Sequence, residues 1–77
     1  MSDEEKELDN LATQESKRLA VIEEARKNEI ITDQEAEKQK LAITEEYSRL
    51  AAEVEKKYRD EAQKEERQKR DELLNFV

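Results

Sequence analysis

No glycine and no proline occurs anywhere in this 77-residue chain, so a reversal of the backbone has to be made by other residues. The stretch from Asn28 to Ala36 is where the sequence supplies them. Thr32 followed three residues on by Glu35 forms a capping box: the hydroxyl accepts from the Glu35 backbone N–H while the carboxylate reaches back to the Thr32 N–H. Ile31 and Ala36 flank it as a small hydrophobic staple. Asn28 is the expected C-terminal cap of the preceding helix, because asparagine tolerates the left-handed conformation that glycine usually supplies there. The chain therefore reads as two helices joined by a turn.

Nearly half the residues, 48%, are charged and 34% are hydrophobic, which limits the chain to one small unit with a thin core. Abundant Lys, Glu, Arg, Ala and Leu with helical periodicity signals a long helix or coiled coil, whereas the same charge without periodicity signals disorder. Net charge is −7, so attraction of the whole chain to nucleic acid or an anionic membrane is not expected. The two ends differ in sign. Residues 1–15 carry six acidic side chains against Lys6, a net of −5, while residues 56–70 carry seven basic against four acidic, a net of +3. The chain has no cysteine, which is compatible with a reducing compartment. No apolar run reaches the length of a signal peptide or a membrane span, and a soluble, non-secreted protein is expected.

Ser2 and Glu5 make a second capping box, so a first helix is predicted over about 3–27, a turn over about 28–32 and a second helix over about 33–74. In the first helix, Leu8, Ala12, Leu19 and Ile22 fall on one face with Glu15 at the skipped position, and Leu11 and Ala25 widen it. In the second, Ala36, Ile43, Tyr47, Leu50, Val54, Tyr58 and Ala62 follow at spacings of seven, four, three, four, four and four. These mix heptad steps with eleven-residue steps, and the two patterns drive supercoils of opposite hand. Leu8, Leu19, Ile30 and Leu41 also stand eleven apart, but the turn interrupts them and the series reads as coincidence. Five acid-to-base pairs four apart are expected to lace the outward face: Glu53–Lys57, Glu55–Arg59, Asp60–Lys64, Glu65–Lys69 and Glu66–Arg70.

From Gln63 to Glu72 no apolar side chain appears, and then Leu73, Leu74, Phe76 and Val77 arrive together. Such an abrupt cluster fits either a segment cut from something longer or an apolar tail that closes an oligomer end. The fold class expected is all-α: an antiparallel helical hairpin with a long second helix, coiled-coil-like. A two-helix hairpin leaves the flanks of its stripe wet, so self-association into a homo-oligomer is expected as well.

Little chemistry is available to such a chain. Without histidine or cysteine, common zinc sites, Ser-His-Asp triads and thiol nucleophiles are excluded, and without glycine there is no phosphate-cradling loop. Glu23, Glu24 and Asp33 gather near the turn, and a solvated acidic face explains them better than a cation site does. No enzyme activity, cofactor or metal is expected. The basic segment 56–70 is interleaved with acids and reads as a salt-bridged exposed helix rather than a nucleic-acid contact. Tyr47 and Tyr58 lie on the apolar stripe, where core packing with the hydroxyls reaching solvent is expected. The residues expected to carry protein interaction are Leu8, Leu19, Ile22, Ile43, Tyr47, Leu50, Val54 and Tyr58 on the stripe, with Leu73, Leu74 and Phe76 at the end.

The run from Ala25 to Ile43, with Ile31-Thr32-Asp33-Gln34-Glu35 at its centre, resembles the hairpin turn of the form G-x-I-T-x-E-E-[FY] that recurs in tape-measure proteins of long-tailed bacteriophages. Asn28 or Glu29 stands at its glycine and Ala36 at its aromatic. Glu45-Glu46-Tyr47 and Lys56-Lys57-Tyr58-Arg59-Asp60-Glu61 resemble the long charged helix with sparse aromatics that follows it there. The resemblance covers about residues 20–75. It implies a piece of a virion structural protein that occupies the tail tube and sets its length during assembly, located in the virion tail or the host cytoplasm, with other virion proteins as partners. It brings no catalytic or binding residue. A different reading of the same residues is a small adaptor or regulatory module that docks on a partner protein through its stripe or its terminal Leu/Phe/Val cluster.

Overall fold

The computed structural model describes residues 1–76, with the side chain of Phe76 left aside, so the expected contributions of Phe76 and Val77 to an interaction surface lie outside the described residues. Two helices are present, α1 (Asp3–Lys27) and α2 (Asp33–Phe76). They pack against each other as an antiparallel hairpin. The molecule measures 71 × 22 × 9 Å.

Capping residues set the helix ends. Ser2 is extended and its hydroxyl accepts from the Glu5 N–H at 3.2 Å, with Asp3, Glu4 and Glu5 in the first turn of α1, where the positive end of the helix dipole favours them. At the start of α2 the reciprocal box is closed on both sides: the Glu35 N–H donates to Thr32 Oγ1 at 3.1 Å and the Thr32 N–H donates to Glu35 Oε1 at 3.4 Å. The staple is present too, with Ile31 half-buried and Ala36 fully buried.

α1 ends at Lys27 with Asn28 as its cap, as expected, but the left-handed residue is one further on. Asn28 is not left-handed, with φ −86° and ψ 8°; Glu29 is, at φ 58°. The Ile30 N–H donates to the Ala25 carbonyl at 2.9 Å and the Glu29 N–H to the Arg26 carbonyl at 3.1 Å. This is a Schellman motif with Asn28 as the cap and Glu29 at the position glycine usually takes. A β-carbon in that conformation costs roughly 1–2 kcal/mol, which the two hydrogen bonds and the packing beyond must offset.

Side chains facing the partner helix follow one rule in both helices. In α1 the half-buried line is Glu4, Leu8, Leu11, Glu15, Leu19, Ile22 and Arg26; in α2 the shielded line is Ala36, Lys40, Ile43, Tyr47, Ala51, Val54 and Tyr58. Each line steps by four, three, four, four, three and four, which is two eleven-residue units. Eleven residues complete three turns almost without drift, so each stripe stays on one side of its helix. Leu8 to Leu19 is thus a true structural repeat, whereas Ile30 and Leu41 are exposed and take no part in it. Two further expectations change: Ala12 is exposed, with Leu11 taking its place facing α2, and Ala62 is exposed because α1 begins opposite the turn before it.

Glycine at position 29 relieves the left-handed strain while adding freedom to the unfolded chain. Glu29→Gly is therefore expected to stabilise the hairpin by up to about 1 kcal/mol. A thermal melt of the variant that is unchanged or lower would contradict the Schellman geometry.

Candidate interaction surface

The stripe is the one extended apolar feature among the described residues, and the hairpin covers it incompletely. Ala36 and Tyr47 are its buried residues, Tyr47 at 6% exposure, and α1 has no buried residue at all. Leu8, Leu19, Ile22, Ile43, Leu50, Val54 and Tyr58 are each half-buried. The structure thus brings these expected interaction residues together on the inner faces of the two helices, with their flanks open. Leu73 and Leu74 do not join them: they stand far along α2 at 72% and 67% exposure.

Polar contacts fix how the helices face each other. Lys57 Nζ meets both Glu7 carboxylate oxygens at 3.0 Å, Arg18 meets Glu46 at 3.1 Å, and Lys40 meets Glu23 at 2.5 Å. These three pairs define one antiparallel register, which brings Asp3 level with Glu61. Residues 61–76 consequently run on alone, an arm about 24 Å long at about 1.5 Å per residue, and every described side chain of it through Asn75 is exposed. None of the five expected pairs four apart is closed within 4 Å among the described residues; Lys57 turns across the hairpin to Glu7, and Glu53 pairs with Arg49 at 3.6 Å.

The two tyrosines share a setting. Arg18 lies over the Tyr47 ring at 5.6 Å while pairing with Glu46, and Lys57 lies over the Tyr58 ring at 4.7 Å while pairing with Glu7. Each ring is therefore capped by a cation that also spans the hairpin, an arrangement in which quadrupole attraction and ion pairing act on the same side chain. Their hydroxyls turn to partners rather than to open water. Tyr47 Oη lies 3.5 Å from Gln14 Oε1. Tyr58 hydrogen-bonds toward the Glu7 carboxylate, which pushes its pKa up to about 12, while Tyr58 and then Lys57 hold Glu7 below the ordinary carboxylate value.

Near the turn, Glu23 holds the helices together. It accepts from Arg26 on its own helix and from Lys40 across the gap, and Arg26 also lies 3.5 Å from Asp33. Hydrogen bonds from Arg26, then Lys40, bring its pKa down to about 2. Of the three acidic residues near the turn, Glu23 and Asp33 thus face protein cations, and no cluster of three or more potential metal ligands occurs among the described residues.

One flank of the stripe opens into a groove of about 320 Å³. Leu11, Leu50 and Val54 form its apolar wall, with Glu7, Glu53 and Lys57 on the rim. The sequence alone does not reveal it, since both helices contribute to its wall and Leu11 reads there as the margin of the stripe. No family model, curated protein or solved structure matches the chain. No described helix is long and apolar enough to cross a membrane.

A group whose folded pKa is depressed stabilises the fold above its unfolded pKa and ceases to do so as pH falls through the folded value. For Glu23 that interval runs from about 4.5 down to about 2. Helicity and melting temperature are expected to fall across it, and Glu23→Gln to flatten the decline. Equal pH dependence in the two proteins would show that the Arg26–Glu23–Lys40 cluster does not couple to folding.

Proposed function

We propose that this chain is a non-enzymatic structural element, a stiffened rod whose open flanks assemble with further helices, and that it serves as a segment of a tape-measure protein in a long-tailed phage. The observation that carries the structural part is the shape together with its incomplete cover: a 71 Å rod whose apolar stripe is only half-buried apart from Ala36 and Tyr47. Tertiary packing of an apolar face is what sustains helices in water, and here a single partner helix supplies only part of it. Self-association completes it. The phage assignment rests on the resemblance of the Ile31–Glu35 turn and of the charged, tyrosine-bearing helix after it to tape-measure sequence; length would be its working property, with scaffolding by extent in place of chemistry.

A second reading is favoured by a specific feature, the pair Leu73 and Leu74 displayed on an exposed arm. In an adaptor, that end would dock on a different protein. The two readings separate on what the chain needs for stability, since a rod that assembles through its stripe depends on its own concentration.

Equilibrium sedimentation at micromolar concentration is expected to give a mass above that of one chain, with helicity that falls on dilution. Leu50→Asp should abolish both, because Leu50 lines the open flank of the stripe. A fully helical single chain would refute self-association. For the phage reading, in-frame removal of the segment from its parent tail protein should shorten the tail by no more than the 71 Å long axis; tails of unaltered length would refute it.

A further inference from the structure

We propose that two copies of this chain exchange their first helices. Each chain straightens through Asn28–Thr32 into one continuous helix, and α1 of each copy lies on α2 of the other. The self-association proposed above keeps the turn and joins hairpins through their open flanks; exchange removes the turn and needs no flank contact.

The hinge is what favours exchange. Five residues interrupt the helix, Asn28 to Thr32, and none is glycine or proline, so nothing in their covalent structure bars an α-helix through them. Good helix formers stand on both sides, Glu23-Glu24-Ala25-Arg26-Lys27 before and Gln34-Glu35-Ala36-Glu37-Lys38 after. Asn28, at φ −86° and ψ 8°, already borders the helical region. Glu29, at φ 58°, is the one non-glycine residue at positive φ among the described residues, and its β-carbon makes that conformation unfavourable. Straightening releases the strain. It gives up the Thr32–Glu35 box and the two bonds that close α1, and it returns intrahelical partners to the backbone groups they served. A short, strained hinge of this kind is the setting in which identical elements pass between copies.

Exchange also keeps what the hairpin has. A straightened chain on its own would leave Leu8, Leu11, Leu19 and Ile22 bare. Two straightened chains laid antiparallel restore the packing along the stripe, because Glu7–Lys57, Arg18–Glu46 and Glu23–Lys40 each join α1 to α2 and form equally well between copies. That register sets residue 32 of one chain level with residue 32 of the other, on a two-fold axis.

The line facing the partner crosses the hinge unbroken. From Arg26 to Ala36 it runs through Glu29 and Asp33 in steps of three, four and three, the steps that hold one face of a helix. Ile30, 74% exposed in the turn, then flanks that line beside the other copy. Opposing this, Glu29 and Asp33 of both copies come together at the axis, with Arg26 of each one turn away. The exchanged pair is a rod of about 130 Å at about 1.5 Å per residue, nearly twice the hairpin's 71 Å.

Spin labels test the path of the chain. Ala12 and Ala52 are exposed and stand level in the register of Glu7–Lys57 and Arg18–Glu46. In a hairpin, labels on Ala12→Cys and Ala52→Cys of one chain lie close, across a helix spacing of about 8–10 Å. In a straightened chain they lie about 60 Å apart. Doubly labelled chains are mixed in denaturant with a large excess of unlabelled chain and refolded at a concentration where sedimentation gives a two-chain mass. Exchange predicts that the long separation remains and the short one disappears, since the short one then arises between copies. A short separation that survives dilution would overturn exchange and leave association through the flanks standing; a single-chain mass at every concentration would overturn both.

Position 29 gives a second test. Glu29→Gly relaxes the turn and weakens the continuous helix of each chain, so the dimer should dissociate at least about tenfold more readily. Glu29→Ala keeps the strain of the turn, favours the helix and removes a carboxylate from the axis, so it should tighten the dimer at least about threefold. Hairpins joined through their flanks would not respond in opposite directions. A dimer unmoved by both variants, tightened by glycine or loosened by alanine would overturn the proposal.

Discussion

Everything in this molecule depends on reversing the chain between Lys27 and Asp33 without glycine or proline. Each helix end leaves backbone groups that must find partners. Here they are found locally: the Ala25 and Arg26 carbonyls by the amides of Ile30 and Glu29, and the Glu35 amide by the Thr32 hydroxyl. The tight turn then sets α1 back along α2 with Ile31 and Ala36 as its apolar hinge. Were the chain to continue as a single helix, Leu8, Leu11, Leu19 and Ile22 would face water with nothing opposite them, and the cross pairs from Glu7 to Lys57 could not form.

Given the reversal, the eleven-residue stripe decides what the hairpin can hold. A seven-residue repeat winds two helices around each other left-handedly to keep contact, while an eleven-residue repeat drifts the other way and more slowly per residue. The price is a poor core: Glu4, Glu15, Arg26 and Lys40 occupy stripe positions beside the leucines. Long charged side chains serve there by laying their methylenes over the stripe and sending their heads out to water. The tyrosine–cation pairs do similar work at Tyr47 and Tyr58, eleven residues apart, and Ala36, a further eleven before, is small enough for the helices to approach closely near the turn. Stability is consequently distributed over rim contacts instead of a buried centre, which makes it sensitive to acid and to neighbours.

Local rules were the legible part of the sequence. Both caps, the turn and the two-helix hairpin follow from residues within four positions of one another, and α2 runs to Phe76, two residues past the predicted end. What was misread required knowing which alternative the partner helix selects. Asn28 and Glu29 are both within one residue of a left-handed cap, and the choice falls on Glu29 because α1 keeps its last turn through Lys27. Ala12 and Leu11 lie on either side of the stripe's midline; the Leu8–Leu19 repeat, set aside as coincidence, was the signal that would have chosen Leu11. The charged pairs four apart were a similar case. Lys57 has Glu53 one turn away on its own helix, yet Glu7 and the Tyr58 ring together offer it more, and that competition exists only once α1 is in place.

The groove and the arm were invisible for a different reason, since both are consequences of unequal helix lengths. α1 has 25 residues and α2 has 44, so an antiparallel pair must leave a bare extension at the end where α1 starts. That same end carries the acidic first turn of α1, where the helix dipole favours it, and an arm of α2 whose four basic side chains stand against five acidic ones. A bare helix of sixteen residues is marginal by itself in water, and neighbouring charges four apart contribute only about 0.2–0.5 kcal/mol each, none of them closed on the arm. An arm that stays helical to Phe76 therefore calls for a surface to lie on.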